Sequence, residues 1–100
     1  MRLKYDQSAN ALYIYLQEGV TPAGGAEIDA GTIVDLDDSG RVVGIELLNP
    51  ARPWPLDEIA ERFEIDMADV LALAALASPE RPFAYGAVTT EKYALVATNN

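Results

Sequence analysis

Between residues 35 and 46 the chain reads DLDDSGRVVGIE, a spacing that could bind a divalent cation. Asp35, Asp37 and Ser39 fall where a calcium loop places oxygen ligands, Gly40 where it turns sharply, and Glu46 where a bidentate acid closes the cage. Such a loop works because a helix enters and a helix leaves, so that the backbone curls and the oxygens converge. Here the flanks are TIV and VVGIELL, β-branched and alternating, which favours strands on both sides. In extended strands Asp35 and Asp37 point the same way, while Glu46 lies several residues past the turn, away from both. The spacing therefore predicts a β-hairpin with an acidic turn. The alternative is a calcium-responsive domain with Asp35, Asp37, Ser39 and Glu46 as ligands.

Other chemistry has fewer residues to draw on. The chain has no histidine and no cysteine, which removes the commonest general base, the commonest transition-metal ligand and any thiol nucleophile. Ser8, Ser39 and Ser78 have no histidine to activate them. The acids Asp35, Asp37, Asp38 and Glu46 could form an acid–base pair, but a solvated acidic turn is the commoner arrangement. PAGGA lacks the lysine and the helix that follow a phosphate loop. No catalytic residue, cofactor or enzymatic activity is expected. A net charge of −9 repels phosphate polyanions and argues against nucleic acid as a partner. The opening MRLKYDQSAN has no apolar signal core and no run is long enough to span a bilayer, so the expected setting is cytoplasmic, without membrane contact.

The elements that must position these residues follow from periodicity. RLKYD and ALYIYLQ alternate about the break QSAN, and pairing Leu3 with Ile14 and Tyr5 with Leu12 gathers the apolar set on one face. EGVTPAGG reads as a loop. TIVDLD and RVVGIELL form a second hairpin, with Val34 opposite Ile45 and Leu36 opposite Val43, if DDSG turns with Gly40 at positive φ. NPARPWP stops the sheet, and the period changes to helical. Helices are expected at about 55–63 and 67–77, the second capped by Asp66 with Asp69 in the capping-box position. SPERPF ends the second helix, and KYALVA offers a short strand. The predicted fold is α+β: a single domain with a four-stranded antiparallel meander at 1–51, a helical hairpin at 52–78 and a tail at 79–100.

YDQSANALYIYL followed by GTIVDLDDSGRVVGIELLNPA closely resembles the small bacterial family known as domain of unknown function 2283 (DUF2283), over roughly residues 1–51. The shared features are a tyrosine–aspartate opening, a polar turn, an ALYI strand, and an I-V-D hairpin ending in GIE and two apolar residues. The resemblance implies a compact antiparallel meander and no assigned activity, and it transfers no catalytic residue.

The helical half fits a template of its own. LDEIAERFEIDMADVLAL matches a helix-turn-helix pattern at Ile59, Ala60, Phe63, Ile65, Val70 and Leu73. Glu64 stands where glycine is usual, and the would-be recognition helix presents Asp66, Met67, Ala68, Asp69, Leu71 and Ala72, none suited to base edges. A packed helical hairpin is favoured over DNA binding.

The remaining candidates concern contact. Tyr13 and Tyr15 lie on the sheet face opposite Leu12, Ile14 and Leu16, with Ile33 and Val42 beside them; the favoured expectation is that the helices cover this face. The other is a subunit interface, for which Tyr13, Tyr15, Trp54, Val70 and Leu73 are the candidate residues. Free sheet edges and a second helix apolar around most of its circumference predict a homodimer. Acidity and small size add a basic protein as a partner class, in the manner of an antitoxin. These features together predict a non-catalytic interaction module, with the tail from Phe83 and Tyr85 reaching toward the partner.

Overall fold

The computed structural model describes residues 1–77 and, as backbone, the strand at 94–98. Alternation builds the first hairpin: β1 (Arg2–Asp6) and β2 (Ala11–Tyr15) pair with Leu3 opposite Ile14 and Tyr5 opposite Leu12, the expected register. Its turn is held by the Asp6 carboxylate, which accepts from the Ser8 amide at 3.1 Å, the Ser8 hydroxyl at 3.0 Å and the Ala9 amide at 3.2 Å. Asn10 closes it at positive φ, and the Tyr5 hydroxyl donates to Asn10 Oδ1 at 2.7 Å.

The remaining sheet is β3 (Gly24–Asp29), β4 (Thr32–Leu36) and β5 (Val42–Leu48), with β6 (Ala94–Thr98) at the far edge; the order across it is β3-β4-β5-β2-β1-β6. The four-stranded meander is corrected in two ways. First, there are five antiparallel strands, because β3 forms where composition reads partly as loop. An edge strand takes its hydrogen bonds from one neighbour, so β4 can hold a glycine-rich segment of low strand propensity. Second, β5 rather than β4 lies beside β2, so a hairpin and a three-stranded meander are joined through β2–β5. β5 is the longest strand, with Val42, Val43, Ile45 and Leu47 all buried, and a central place shields both of its edges. The short tail strand is present as β6 and runs parallel to β1. SPERPF, Phe83 and Tyr85 lie outside the described residues.

The β4–β5 register matches expectation at Val34–Ile45 and departs from it one step later. A bulge after Asp35 sets Leu36 opposite Val42 rather than Val43. Val43 is the extra residue, and its carbonyl accepts from both the Leu16 amide at 2.8 Å and the Gln17 amide at 3.1 Å. The bulge also turns Val42 into the core, not onto the tyrosine face.

Helices α1 (Leu56–Arg62) and α2 (Met67–Leu76) fall where the period changes. Ile59 and Leu73, with Trp54, join Leu3, Tyr5, Leu12, Ile14, Val34, Ile45 and Leu47 in one hydrophobic cluster. The helices thus cover the leucine face, contrary to the expectation that they cover Tyr13 and Tyr15. The leucine face is uniformly apolar, and each helix side chain buried on it contributes roughly 1.5–3 kcal/mol. The tyrosine face is interrupted by charge at Lys4, Asp35 and Glu46 and offers less.

Two arginines tie the layers. Arg41 reaches Asp66 at 2.9 Å and Glu64 at 3.5 Å, while the Val42 amide donates to the Glu64 carbonyl at 3.1 Å. Asp66 sits at the N-cap of α2 without a side-chain cap bond; its carboxylate is turned to Arg41, so the expected capping box does not form. Arg52 donates to the Leu48 carbonyl at 2.9 Å, the Thr32 hydroxyl at 2.7 Å and the Asp29 carboxylate at 3.3 Å, closing the bottom of β3, β4 and β5. Among the described residues no helix is long and apolar enough to cross a membrane.

Candidate functional site

Strand pairing sets the uncovered face in rows. Lys4, Tyr13, Glu46, Ile33 and Glu27 stand side by side across β1, β2, β5, β4 and β3. The next row runs Arg2, Tyr15, Gly44, Asp35 and Gly25. The absence of a side chain at Gly44 organises both rows. The Tyr13 ring lies over it so closely that a Cβ there would meet Cζ at 2.7 Å and Cε1 at 2.8 Å. Across that gap the Tyr13 hydroxyl donates to Asp35 Oδ2 at 2.7 Å, joining β2 to β4 over the strand between them.

The electrostatics follow from this crossing. Burial pushes the Tyr13 phenol well above its ordinary range, and the hydrogen bond to Asp35 and the charges of Asp35 and Glu46 push it further. The phenol stays protonated and serves as a donor. Glu46, diagonal to Asp35, is pushed up to about 6 by partial burial of its carboxyl, by a hydrogen bond with Asp35 and by the Asp35 charge. Tyr15 packs on Tyr13 with ring centroids 4.4 Å apart, and the Arg2 guanidinium lies 4.2 Å above the Tyr15 ring. Arg2 Nε also lies 3.2 Å from the Glu18 carboxylate. A shallow groove bounded by Lys4, Asp6, Ala11, Tyr13, Tyr15 and Glu46 runs along β1 and β2.

The turn between β4 and β5 is a separate site. Asp37 Oδ1 accepts from the Ser39 hydroxyl at 2.7 Å, the Ser39 amide at 2.9 Å and the Arg41 amide at 3.0 Å, and its other oxygen from Gln17 at 3.3 Å. These donors, led by the Ser39 hydroxyl and the Arg41 amide, hold its carboxyl down at about 2. Of the four oxygen-bearing residues with calcium-loop spacing, Asp37 and Ser39 meet in the turn, and Asp35 and Glu46 meet on the sheet. The expectation that Glu46 lies far from both aspartates is corrected: cross-strand register sets it one diagonal step from Asp35. The two pairs do not converge, and among the described residues no group of three acids could hold a metal.

The other contact candidates separate by burial. Tyr13 and Tyr15 are half-buried on the open face, flanked by Ile33 and Leu48, which are 41% and 51% exposed. Trp54 is buried and donates from Nε1 to the Pro50 carbonyl at 2.8 Å, anchoring the chain where it leaves the sheet. Leu73 belongs to the core and Val70 is half-buried; the large exposed apolar residues of α2 are Met67 and Leu71. No basic or amide side chain lies on α2, so it has nothing to read base edges with. Sequence reasoning passes over Gly44, though a glycine amid β-branched strand residues is a mark of close approach.

These observations define an α+β protein in which two helices cover one face of an antiparallel sheet and a tyrosine–carboxylate face stays open among the described residues. Residues 2–49, which carry the tyrosines and carboxylates of that face, match the family described as protein of unknown function, DUF2283. No curated protein and no solved structure matches the chain.

Proposed function

We propose that this is a non-catalytic protein-interaction module that docks through the tyrosine face of its sheet. The observation that carries the reading is the division of the sheet: the helices take the leucine face, and Tyr13, Tyr15, Ile33 and Leu48 remain outward among the described residues. Aromatic side chains held by their neighbours lose little freedom on docking, which favours them as contact residues. A non-catalytic role is supported by the state of the polar cluster on this face, where the Tyr13 proton is committed to Asp35. The partner classes in view are a second copy of the chain and, by charge, a basic protein of the kind an antitoxin neutralises.

The test is a double variant, Ile33→Arg with Leu48→Arg, at two exposed positions where the fold tolerates charge. The variant keeps its melting temperature within a few degrees and loses cross-linking to its partners in cells of the native host, self-association included. A variant that retains every cross-link made by the wild type overturns the reading.

A further inference from the structure

We propose that the tyrosine face pairs with the same face of a second copy, about a two-fold axis that lies between the two sheets and runs along the strands. This rests on the docking role proposed for that face and names the occupant.

The rows of this face are polar from one side of the sheet to the other. Across β1 to β5, each of the two central rows has a base on β1, a tyrosine on β2 and its acids on β5, β4 or β3. In one the order is Lys4, Tyr13, Glu46, Ile33, Glu27; in the other it is Arg2, Tyr15, Gly44, Asp35, Gly25. The third row, Asp6, Ala11 and Leu48, lies at the rim, and its acid is engaged by the Ser8 and Ala9 amides of its own turn. Lys4 and Glu27 are exposed and make no ion pair with another described residue. A face that is basic on one side and acidic on the other is complementary to itself in one orientation. Rotation about an axis along the strands reverses left and right while keeping each row level. It brings β1 of one copy over the acidic strands of the other, with Lys4 facing Glu46 of the partner subunit and tyrosines meeting near the axis. An axis across the strands would instead stack β1 on β1, base on base. Closed two-fold pairing through one self-complementary patch is also the commonest form of homo-oligomer.

Tyr13 lying in the gap over Gly44 keeps the middle of the patch low, which lets two sheets approach to the usual separation of about 10 Å. With the axis over β2, the overlap of β1, β2 and β5 with their counterparts is on the order of 240 Å² per copy. A standard stable interface buries roughly 800 Å² per partner. The pairing is therefore expected to be concentration-dependent.

Sedimentation of the full chain from roughly 10 µM to 1 mM tests the idea. The expected result is a rise from the chain mass of 10.8 kDa toward twice that value. Lys4→Glu and Glu46→Lys each weaken self-association by about tenfold or more, because like charges then face each other. The double variant Lys4→Glu with Glu46→Lys recovers it, because reversing both charges preserves the complementarity. Far-UV circular dichroism and melting confirm that each variant is folded. A single species of chain mass throughout overturns the proposal, as does a double variant no better than its parents. If association is absent while the Ile33→Arg, Leu48→Arg variant still loses cross-links to other proteins, the docking face stands and the second copy is wrong. Tighter capture of a basic protein by Lys4→Glu, without self-association, assigns the face to that partner instead.

Discussion

Asp35 and Asp37 are two residues apart on one strand and turn, yet their carboxylates are put to opposite uses. Asp37 is surrounded by donors from its own hairpin, the Ser39 hydroxyl and amide and the Arg41 amide, so its charged form is favoured and its carboxyl falls to about 2. Asp35 meets groups from other strands: the Tyr13 hydroxyl from β2 and, from β5, the Glu46 carboxyl, which is pushed up to about 6. In the turn, the acid stabilises a local backbone shape. On the sheet, the acids are placed by long-range register, and one of them carries an unfavourable neighbour. A motif that reads as one calcium loop is thus two sites, because a strand separates what a helical loop would gather.

The largest effect on this comparison is expected at Gly44. Gly44→Val drives side-chain atoms into the Tyr13 ring, breaks the bond to Asp35 and destabilises the fold by about 1–3 kcal/mol, read by chemical denaturation. It leaves the turn intact, so amide exchange at Ser39 and Arg41 is unchanged; exchange lost equally in both regions would show that they are not separate. Next comes Asp37→Ala, which strips three hydrogen bonds from the turn and lowers the melting temperature by several degrees, with Tyr13 still bonded to Asp35.

The pH dependence is smaller and has opposite signs at the two sites. Asp37 is held below its ordinary value of 3.8, so its contribution is present above about 3.8 and is lost as pH falls toward about 2. Glu46 is raised from an ordinary 4.5, so the fold favours its protonated form; that contribution is complete below about 4.5 and is lost as pH rises through about 6. Melting temperature should therefore peak between the two windows. Glu46→Gln flattens the neutral side and Asp37→Asn the acid side; a profile unchanged by either substitution sinks the assignment. The smallest effect is that of calcium. At concentrations on the order of 1 mM it leaves the melting temperature where it was, since the two oxygen pairs do not converge.

Local pattern is enough to read the β1–β2 register, the Val34–Ile45 pairing and both helices, since each depends on residues close in sequence. What it misses depends on distant choices. Strand β3 begins Gly-Gly-Ala, and only the hydrogen bonds of β4 make it a strand. The insertion of β5 between β2 and β4 compares whole-sheet arrangements that no window contains. The bulge at Val43 has no residue signature, and it alone moves Val42 to the core. At the site, alternation places Tyr13 and Tyr15 on one face, while the diagonal contact of Glu46 with Asp35 needs the register. The helices choose the leucine face over the aromatic one because its apolar surface is unbroken by charge, a contrast that appears only once the strands stand side by side.

The position of Arg52 bears on how this protein can be cut, fused or inherited in pieces. The family segment ends at residue 49, but Arg52, three residues later, bonds to Thr32, Asp29 and Leu48 from outside it, and Trp54, Ile59 and Leu73 roof the leucine face. A chain terminated at residue 49 would keep every strand from β1 to β5 and lose the roof, leaving Leu3, Ile14 and Ile45 bare to water. Such a fragment is a sheet with a raw face, prone to stick before it can act. In this chain the family segment thus leans on the residues that follow it, from Arg52 through Trp54 and Ile59 to Leu73.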